Sequence, residues 1–232
     1  LGFRQAEGFA RSLMLMLELG EKLAVPSYSQ ICRRQKSLKI AIRAKDRRRL
    51  EAGDEKLHIV VDSTGLKVYG EGEWKVRQHG VGKRRTWRKI HLAVDEAEKD
   101  IIGIELTTAD WGDSEVFPEL LAQVDGEVAQ VSADGAYDTE RCYRSIAERG
   151  AQAAIPPRDG AVRWGDNHPR DATLAAIADR GRDGWKEDSG YHRRSLAENM
   201  MFRLKQLGDR LFSRTFERQV AEAHVRVVIL NG

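Results

Sequence analysis

The sequence predicts an α/β protein: a mixed five-stranded sheet flanked by helices, with a small helical appendage at the N-terminus. Three observations lead there. Short apolar, β-branched runs recur at residues 57–61, 87–94, 101–107 and 128–131. Helical runs alternate with them, so the elements follow the order β-β-β-α-β-α-β-α. A strong helical period begins at Tyr191. The 232 residues suit one main domain plus an appendage and suffice for a sizeable core.

The appendage spans residues 1–50 and carries twelve Lys/Arg against four Asp/Glu, a net of +8. Residues 51–232 carry 27 against 32, a net of −5. A basic arm on a mildly acidic body is a common layout for nucleic-acid binding. Residues 13–19 form an apolar helical segment that Gly20 is placed to end. Pro26-Ser-Tyr-Ser-Gln-Ile-Cys-Arg33-Arg34 reads as a second, shorter helix after a turn. Two helices with a basic second member suggest a helix-turn-helix, although plain helical hairpins share the pattern. The basic stretch 43–49 is then a linker along a backbone, or a solvated charge run.

The first strand, Leu57-His-Ile-Val-Val-Asp62, ends in an aspartate followed by the turn residues Ser-Thr-Gly. Lys75 to Lys89 holds seven Lys/Arg and no acid, with Trp74 before it and Trp87 within it. It reads as a hairpin loop tipped by Gly80 and Gly82, with Arg77, Lys83, Arg84 and Arg85 as backbone-phosphate contacts or solubilising charges. Residues 87–94 and 101–107 are strands two and three. Asp113 or Ser114 caps a helix through Gln123. The fourth strand repeats the plan of the first, reaching Asp134 and then Gly135. Asp138 precedes the helix 139–149 and suits a capping role. Residues 153–155 make a short fifth strand, and 156–190 read as an irregular insert holding Arg158, Arg163, Arg170, Arg180, Arg182, Trp164 and Trp185.

From Tyr191, polar residues recur at offsets of 0, 3, 7 and 14: Tyr191, Arg194, Glu198 and Lys205. At about 100° per residue these share one narrow stripe. Leu196, Met200, Leu204, Leu207 and Leu211 fall on the opposite side. Taken alone, the stripe reads better as a solvated face with an Arg194–Glu198 i,i+4 pair. Two strands ending on Asp tilt the balance, because aspartate is a poor strand former and ligands gather at strand ends in α/β sheets. Asp62, Asp134 and Glu198 together make a hard, oxygen-only set suited to Mg²⁺, with Mn²⁺ able to substitute. Two ions about 4 Å apart could activate an attacking water and stabilise a leaving 3′-oxygen. Arg194 would hold a flanking phosphate as a fork and Lys205 as a point charge, with Tyr191 beside them as a further DNA contact.

These motifs resemble the DDE transposases of bacterial insertion sequences, in particular the insertion sequence five family. The resemblance rests on Asp62, Asp134 and Glu198 with the complete tyrosine-arginine-glutamate-lysine spacing. It rests also on Val61-Asp-Ser-Thr-Gly-Leu-Lys67, Glu73-Trp-Lys-Val-Arg77, Trp87-Arg-Lys-Ile-His-Leu-Ala-Val-Asp95 and Ser189-Gly-Tyr-His-Arg-Arg-Ser-Leu-Ala-Glu198. It runs from about Leu13 to the C-terminus, and no core motif departs from the family pattern. It implies a ribonuclease-H-like catalytic domain over residues 51–232 and a catalytic triad of Asp62, Asp134 and Glu198. Two divalent ions are implied as well. The implied DNA partners are terminal inverted repeats and target DNA, joined in a homodimer or larger synaptic assembly. In related transposases an aromatic of the insert region stacks on a flipped base; here Trp164 or Trp185 is eligible, though an anchoring core role suits each better.

The expected function is therefore a DNA transposase. The rival readings are a general ribonuclease-H-like nuclease, which would cut without end preference, and a catalytically silent DNA-binding protein derived from a transposon. Without a membrane-length apolar run or a signal peptide, the chain is expected to be cytoplasmic and nucleoid-associated. Cys32 and Cys142 form no paired motif, and His58, His91 and His192 match no zinc spacing. The chain starts at Leu1 rather than Met and is expected to be a fragment lacking its natural N-terminus.

Overall fold

The computed structural model describes residues 2–38, 40, 42, 56–68, 86–165 and 168–232. Among these residues the centre is a mixed sheet of six strands. Strands β1 (Leu57–Val68), β2 (Trp87–Asp95) and β3 (Ile101–Thr108) form an antiparallel meander. Strands β4 (Val128–Ser132) and β5 (Gln152–Ala154) extend it in parallel, giving the order β3-β2-β1-β4-β5. Helix α3 (Asp113–Ala122) connects β3 to β4, and α4 (Glu140–Glu148) connects β4 to β5. Then follow α5 (Pro169–Asp188), α6 (Ser195–Gln206), the two-residue strand β6 (Arg210–Leu211) and α7 (Phe216–Asn231). This mixed sheet between helical layers is consistent with a ribonuclease-H-like fold.

Alternation along β1 divides the core. Ile59 and Val61 join Phe117, Leu120, Val131 and Tyr143 on the face covered by α3 and α4. Val60 and Leu66 join Ile90, Leu92, Met200, Leu204 and Val227 on the face covered by α6 and α7. The pleat puts residues of one parity on one face, so Asp62 and Thr64 share the α6 side with Val60 and Leu66.

Several elements differ from the sequence expectation. Strand β1 does not stop at Asp62, because Leu66 is fully buried and β2 pairs along the strand's length from Ile59 to Lys67. What ends near Asp62 is the other edge: β4 pairing stops at Val60↔Ser132, and β6 pairs only from Lys67. Asp62 and Thr64 thus lie beside a notch in the sheet edge. Among the described residues, the insert lacks regular structure only ahead of Pro169. Pro169 suits a first helical position, and alanine-rich α5 follows, broken at Gly181 (φ 73°). Tyr191–Arg194 is a 3₁₀ turn rather than the first α-turn. Helix α6 ends at Gln206, so Leu207 is exposed while Leu211 is buried from within β6. Gly112, not Asp113 or Ser114, caps α3, its N–H donating to Glu115 Oε2 at 2.7 Å. Thr139 caps α4 in place of Asp138.

The N-terminal helix α1 (Phe3–Met16) ends before Gly20. Glu18 adopts a left-handed conformation (φ 54°), with Glu18 N–H donating to Leu15 O and Leu19 N–H to Met14 O. Those two bonds form a Schellman stop without glycine. Helix α2 (Tyr28–Gln35) opens with a Ser27–Gln30 capping box. Glu7 of α1 accepts from Tyr28 N–H at 2.6 Å, and Gln35 donates to Ser213 Oγ at 3.0 Å, tying α2 to the chain ahead of α7. The 17–27 connection is longer than the three- or four-residue turn of a helix-turn-helix. The basic stretch 43–49 lies outside the described residues.

Candidate functional site

The notch beside Asp62 is faced by the 3₁₀ turn Tyr191–Arg194 and by α6. Both are held in place from the far side: Arg193 pairs with Glu96 at 2.6 Å in the turn after β2, and Gln130 of β4 donates to Ser189 O at 2.8 Å. A 3₁₀ turn stacks residues three apart. Tyr191 and Arg194 therefore remain neighbours despite the change of helix type, the guanidinium lying 6.0 Å from the ring centre. Trp185, almost completely buried, packs against Tyr191 at 5.3 Å between ring centres. Trp164 lies under Arg170, 4.1 Å from its guanidinium, and both tryptophans anchor the insert.

Arg194 is shared between two acids. Its Nη1 lies 3.2 Å from Asp62 Oδ2, and its Nη2 lies 2.7 Å from Glu198 Oε1. Asp62 also accepts from Ser63 N–H at 2.8 Å through its other oxygen. Lys205 continues the stripe along β1, donating to Thr64 Oγ1 at 2.7 Å. Of the positions at offsets 0, 3, 7 and 14, Arg194 and Lys205 thus meet β1, Tyr191 packs on Trp185, and Glu198 is exposed beside Arg194. Asp134 stands at the end of β4, where its Oδ1 accepts from Ala136 N–H at 2.8 Å and opens the 3₁₀ turn Gly135–Tyr137.

Burial raises the Asp62 carboxyl above the ordinary carboxylate range; Ser63 N–H and Arg194 oppose the rise, while the charges of Asp134 and Glu198 add to it. A half-buried acid within electrostatic reach of two others is a group whose ionised form a cation would favour. Their all-oxygen chemistry fits a hard divalent ion. Among the described residues, however, no three His, Cys, Asp or Glu side chains converge closely enough to hold one ion, and Glu198 faces Arg194.

Arg33 and Arg34 are exposed on the last turn of α2. Arg77, Lys83, Arg84 and Arg85 lie outside the described residues. The histidines serve locally: His58 Nε2 meets Ser132 Oγ at 2.8 Å, His91 Nε2 meets Thr107 Oγ1 at 3.1 Å, and His192 is exposed. No described helix is long and apolar enough to cross a membrane.

Sequence reasoning missed two arginines of the insert as partners of the loop after Asp134. Arg170 and Asp138 form a buried two-bonded pair at 2.6 and 2.9 Å, and Arg158 donates to Gly135 O and Ala136 O at 2.8 and 2.9 Å. Only the arginine richness of the insert signalled them, and it does not specify partners.

Comparison with known families accords with this arrangement. The family described as Transposase DDE domain matches residues 53–231, and a second family of the same description matches residues 1–71. The first match covers most of the chain. The chain belongs to the DDE transposases.

Proposed function

We propose that this protein is a transposase of the insertion sequence five family, cutting DNA at terminal inverted repeats and joining the freed ends to target DNA. The observation that carries the reading is the meeting of Asp62, Arg194 and Glu198 at the sheet notch, with Asp134 at the end of the neighbouring strand. In the proposed reaction a water oxygen attacks the phosphorus at the element end, the P–O3′ bond breaks, and the 3′-oxygen leaves as a hydroxyl. That 3′-hydroxyl then attacks a phosphodiester of the target in a second in-line displacement. The new P–O bond forms as the target's own P–O3′ bond breaks, and the target 3′-oxygen leaves as a hydroxyl, taking up the proton the attacking hydroxyl gives up.

Asp62, Asp134 and Glu198 would hold the divalent ions, Mg²⁺ or in its place Mn²⁺. When bound, such ions lower the cost of generating the nucleophile and of charge on the departing oxygen. For this, Glu198 must exchange its Arg194 partner, and the released guanidinium is then free to fork onto a phosphate. Tyr191, packed on Trp185, supports Arg194 from beneath, and Lys205 stands farther along β1 as a second phosphate contact. Residues 51–232 form the catalytic unit in this reading. The basic 1–50 segment, with Arg33 and Arg34 on α2, and the loop with Arg77, Lys83, Arg84 and Arg85 supply sequence-independent grip on DNA. Two ends are joined in one event, which calls for a homodimer or larger assembly.

The test is Mg²⁺- or Mn²⁺-dependent cleavage of DNA carrying the gene's native flanks against a scrambled control. Asp62→Asn, Asp134→Asn and Glu198→Gln are each expected to lower boundary cleavage by at least about 100-fold. Equal cutting of the scrambled DNA would replace the reading with a general nuclease. Flank binding without cleavage, indifferent to all three changes, would replace it with a DNA-binding relic.

A further inference from the structure

The loop that carries Asp134 is tied to the sheet by Ala133 N–H, which donates to Ala154 O at 3.3 Å, and buries Tyr137 against Phe117; the polar part of its seat comes from the segment after β5. Gly135 lies against Pro156, where an added Cβ would stand 3.4 Å from Pro156 O, an ordinary van der Waals contact. Arg158 N–H donates to Asp138 Oδ2 at 3.0 Å, while its guanidinium bridges the carbonyls of Gly135 and Ala136. Arg170 closes the other end, bound twice to Asp138, donating to Val162 O at 2.6 Å and stacked on Trp164. The loop therefore has a guanidinium on two of the carbonyls following Asp134 and a buried ion pair four residues after it. Ala136 spans both relations: its carbonyl accepts from Arg158, and its N–H donates to Asp134 Oδ1.

We propose that Arg158 is a positioning residue for Asp134, fixing through the Gly135 and Ala136 carbonyls the turn that orients the Asp134 carboxylate, with the Arg170–Asp138 pair as its anchor. The proposal rests on the role given to Asp134 above. Gly135 O already accepts from Asp138 N–H at 3.3 Å within the turn, and the planar Arg158 fork adds a second donor to it and one to Ala136 O, tying two successive carbonyls of the turn to the segment after β5. A carboxylate on such a turn is only as well placed as the turn itself, and small displacements of a reacting group are costly in rate.

The Ala136 amide, bonded to Asp134 Oδ1, provides a direct readout by hydrogen exchange. In Arg158→Gln its exchange is expected to quicken at least about tenfold relative to amides of β1 and β2, which should keep their wild-type rates. Boundary cleavage at saturating DNA is expected to slow at least about tenfold with DNA affinity unchanged. Arg158→Lys, able to serve one carbonyl, should recover part of both losses. Arg149 is a matched control, since it bridges the carbonyls of Val124 and Gly126 at 2.7 and 2.8 Å away from the site. Arg149→Gln should leave Ala136 unaffected. Unchanged exchange at Ala136 in Arg158→Gln would overturn the proposal, as would a rise shared by the sheet amides. A fall in DNA affinity that accounts for the whole loss of cleavage would make Arg158 a DNA contact instead. Asp134→Asn keeps the two ideas apart: cleavage surviving that change overturns the role of Asp134, while Arg158's hold on the turn is judged by Ala136 alone.

Discussion

Two arginines in this protein face carboxylates under opposite conditions. Arg170 is almost completely buried, gives two bonds to the equally buried Asp138, a third to Val162 O, and is covered by Trp164. Arg194 is partly open to solvent and divides its guanidinium between Asp62 and the exposed Glu198. The first arrangement satisfies its donors in a dry setting and has no cheap alternative. The second leaves every partner able to trade it for water, a cation or a phosphate. Burial and saturation, more than the residue types, separate a fixed support from an exchangeable site.

The widest difference should appear in stability. Arg170→Met leaves the Asp138 carboxylate buried with only the Arg158 N–H, and a loss of about 3–5 kcal/mol is expected. Arg194→Met removes a shared, partly solvated pair and should cost about 1 kcal/mol or less. Urea unfolding of both variants checks the contrast. Comparable losses would show that the notch is as rigidly built as the loop seat.

How much of this was legible beforehand follows the same division. The stripe of Tyr191, Arg194, Glu198 and Lys205 could be read because helical periodicity is a local property, and it survived the replacement of one α-turn by a 3₁₀ turn. The parity that puts Asp62 and Val60 on one face was likewise readable from β1. What escaped depends on distant partners. That β1 continues past Asp62 is decided by β2 and by the burial of Leu66. Gly181 and Gly184, with little amphipathic pattern between them, hid α5. The residues Val220, Ala223, Val227 and Leu230 of α7 carry a helical period, but β6 preceding it is two residues long and gave no warning of a further layer. Asp138 looked like a helix cap because a neighbouring acid before a helix commonly is one; its true partner lies 32 residues on.

Acid sharpens the comparison further, because the two regions should answer it with opposite signs. On the face covered by α3, His91 is fully enclosed, and burial pushes its imidazole down to about 4, against a smaller upward pull from Asp113. The unfolded chain binds a proton near pH 6.5 that the folded chain refuses. Stability is then untouched above that pH, declines as pH falls from about 6.5 to 4, and levels off below, with a total loss of at most about 3 kcal/mol. A His91→Gln variant, followed by urea unfolding across that range, should lose the His91 share of the decline and keep the share of His58, whose imidazole burial also pushes down; a decline identical to wild type would remove His91 as a source.

At the notch the sign reverses. Asp62 has its carboxyl raised in the fold, so above its folded pKa the ionised group is a net burden on stability, and protonation relieves that burden as pH falls through the folded value toward the unfolded one. Asn at this position keeps an oxygen for Ser63 N–H and discards the repulsion from Asp134 and Glu198, at the loss of the Arg194 attraction. Because burial and the two acids outweigh Arg194 and Ser63, Asp62→Asn is expected to raise the melting temperature modestly at neutral pH. The gap to wild type should narrow on acidification, measured after subtracting the His91 contribution. A strained acid that costs stability is what a site selected for holding a cation would retain, whereas the Asp138–Arg170 seat has no such conflict. A fall in melting temperature at neutral pH would mean that Arg194 already compensates Asp62 fully, and would erase the distinction between the two arginines.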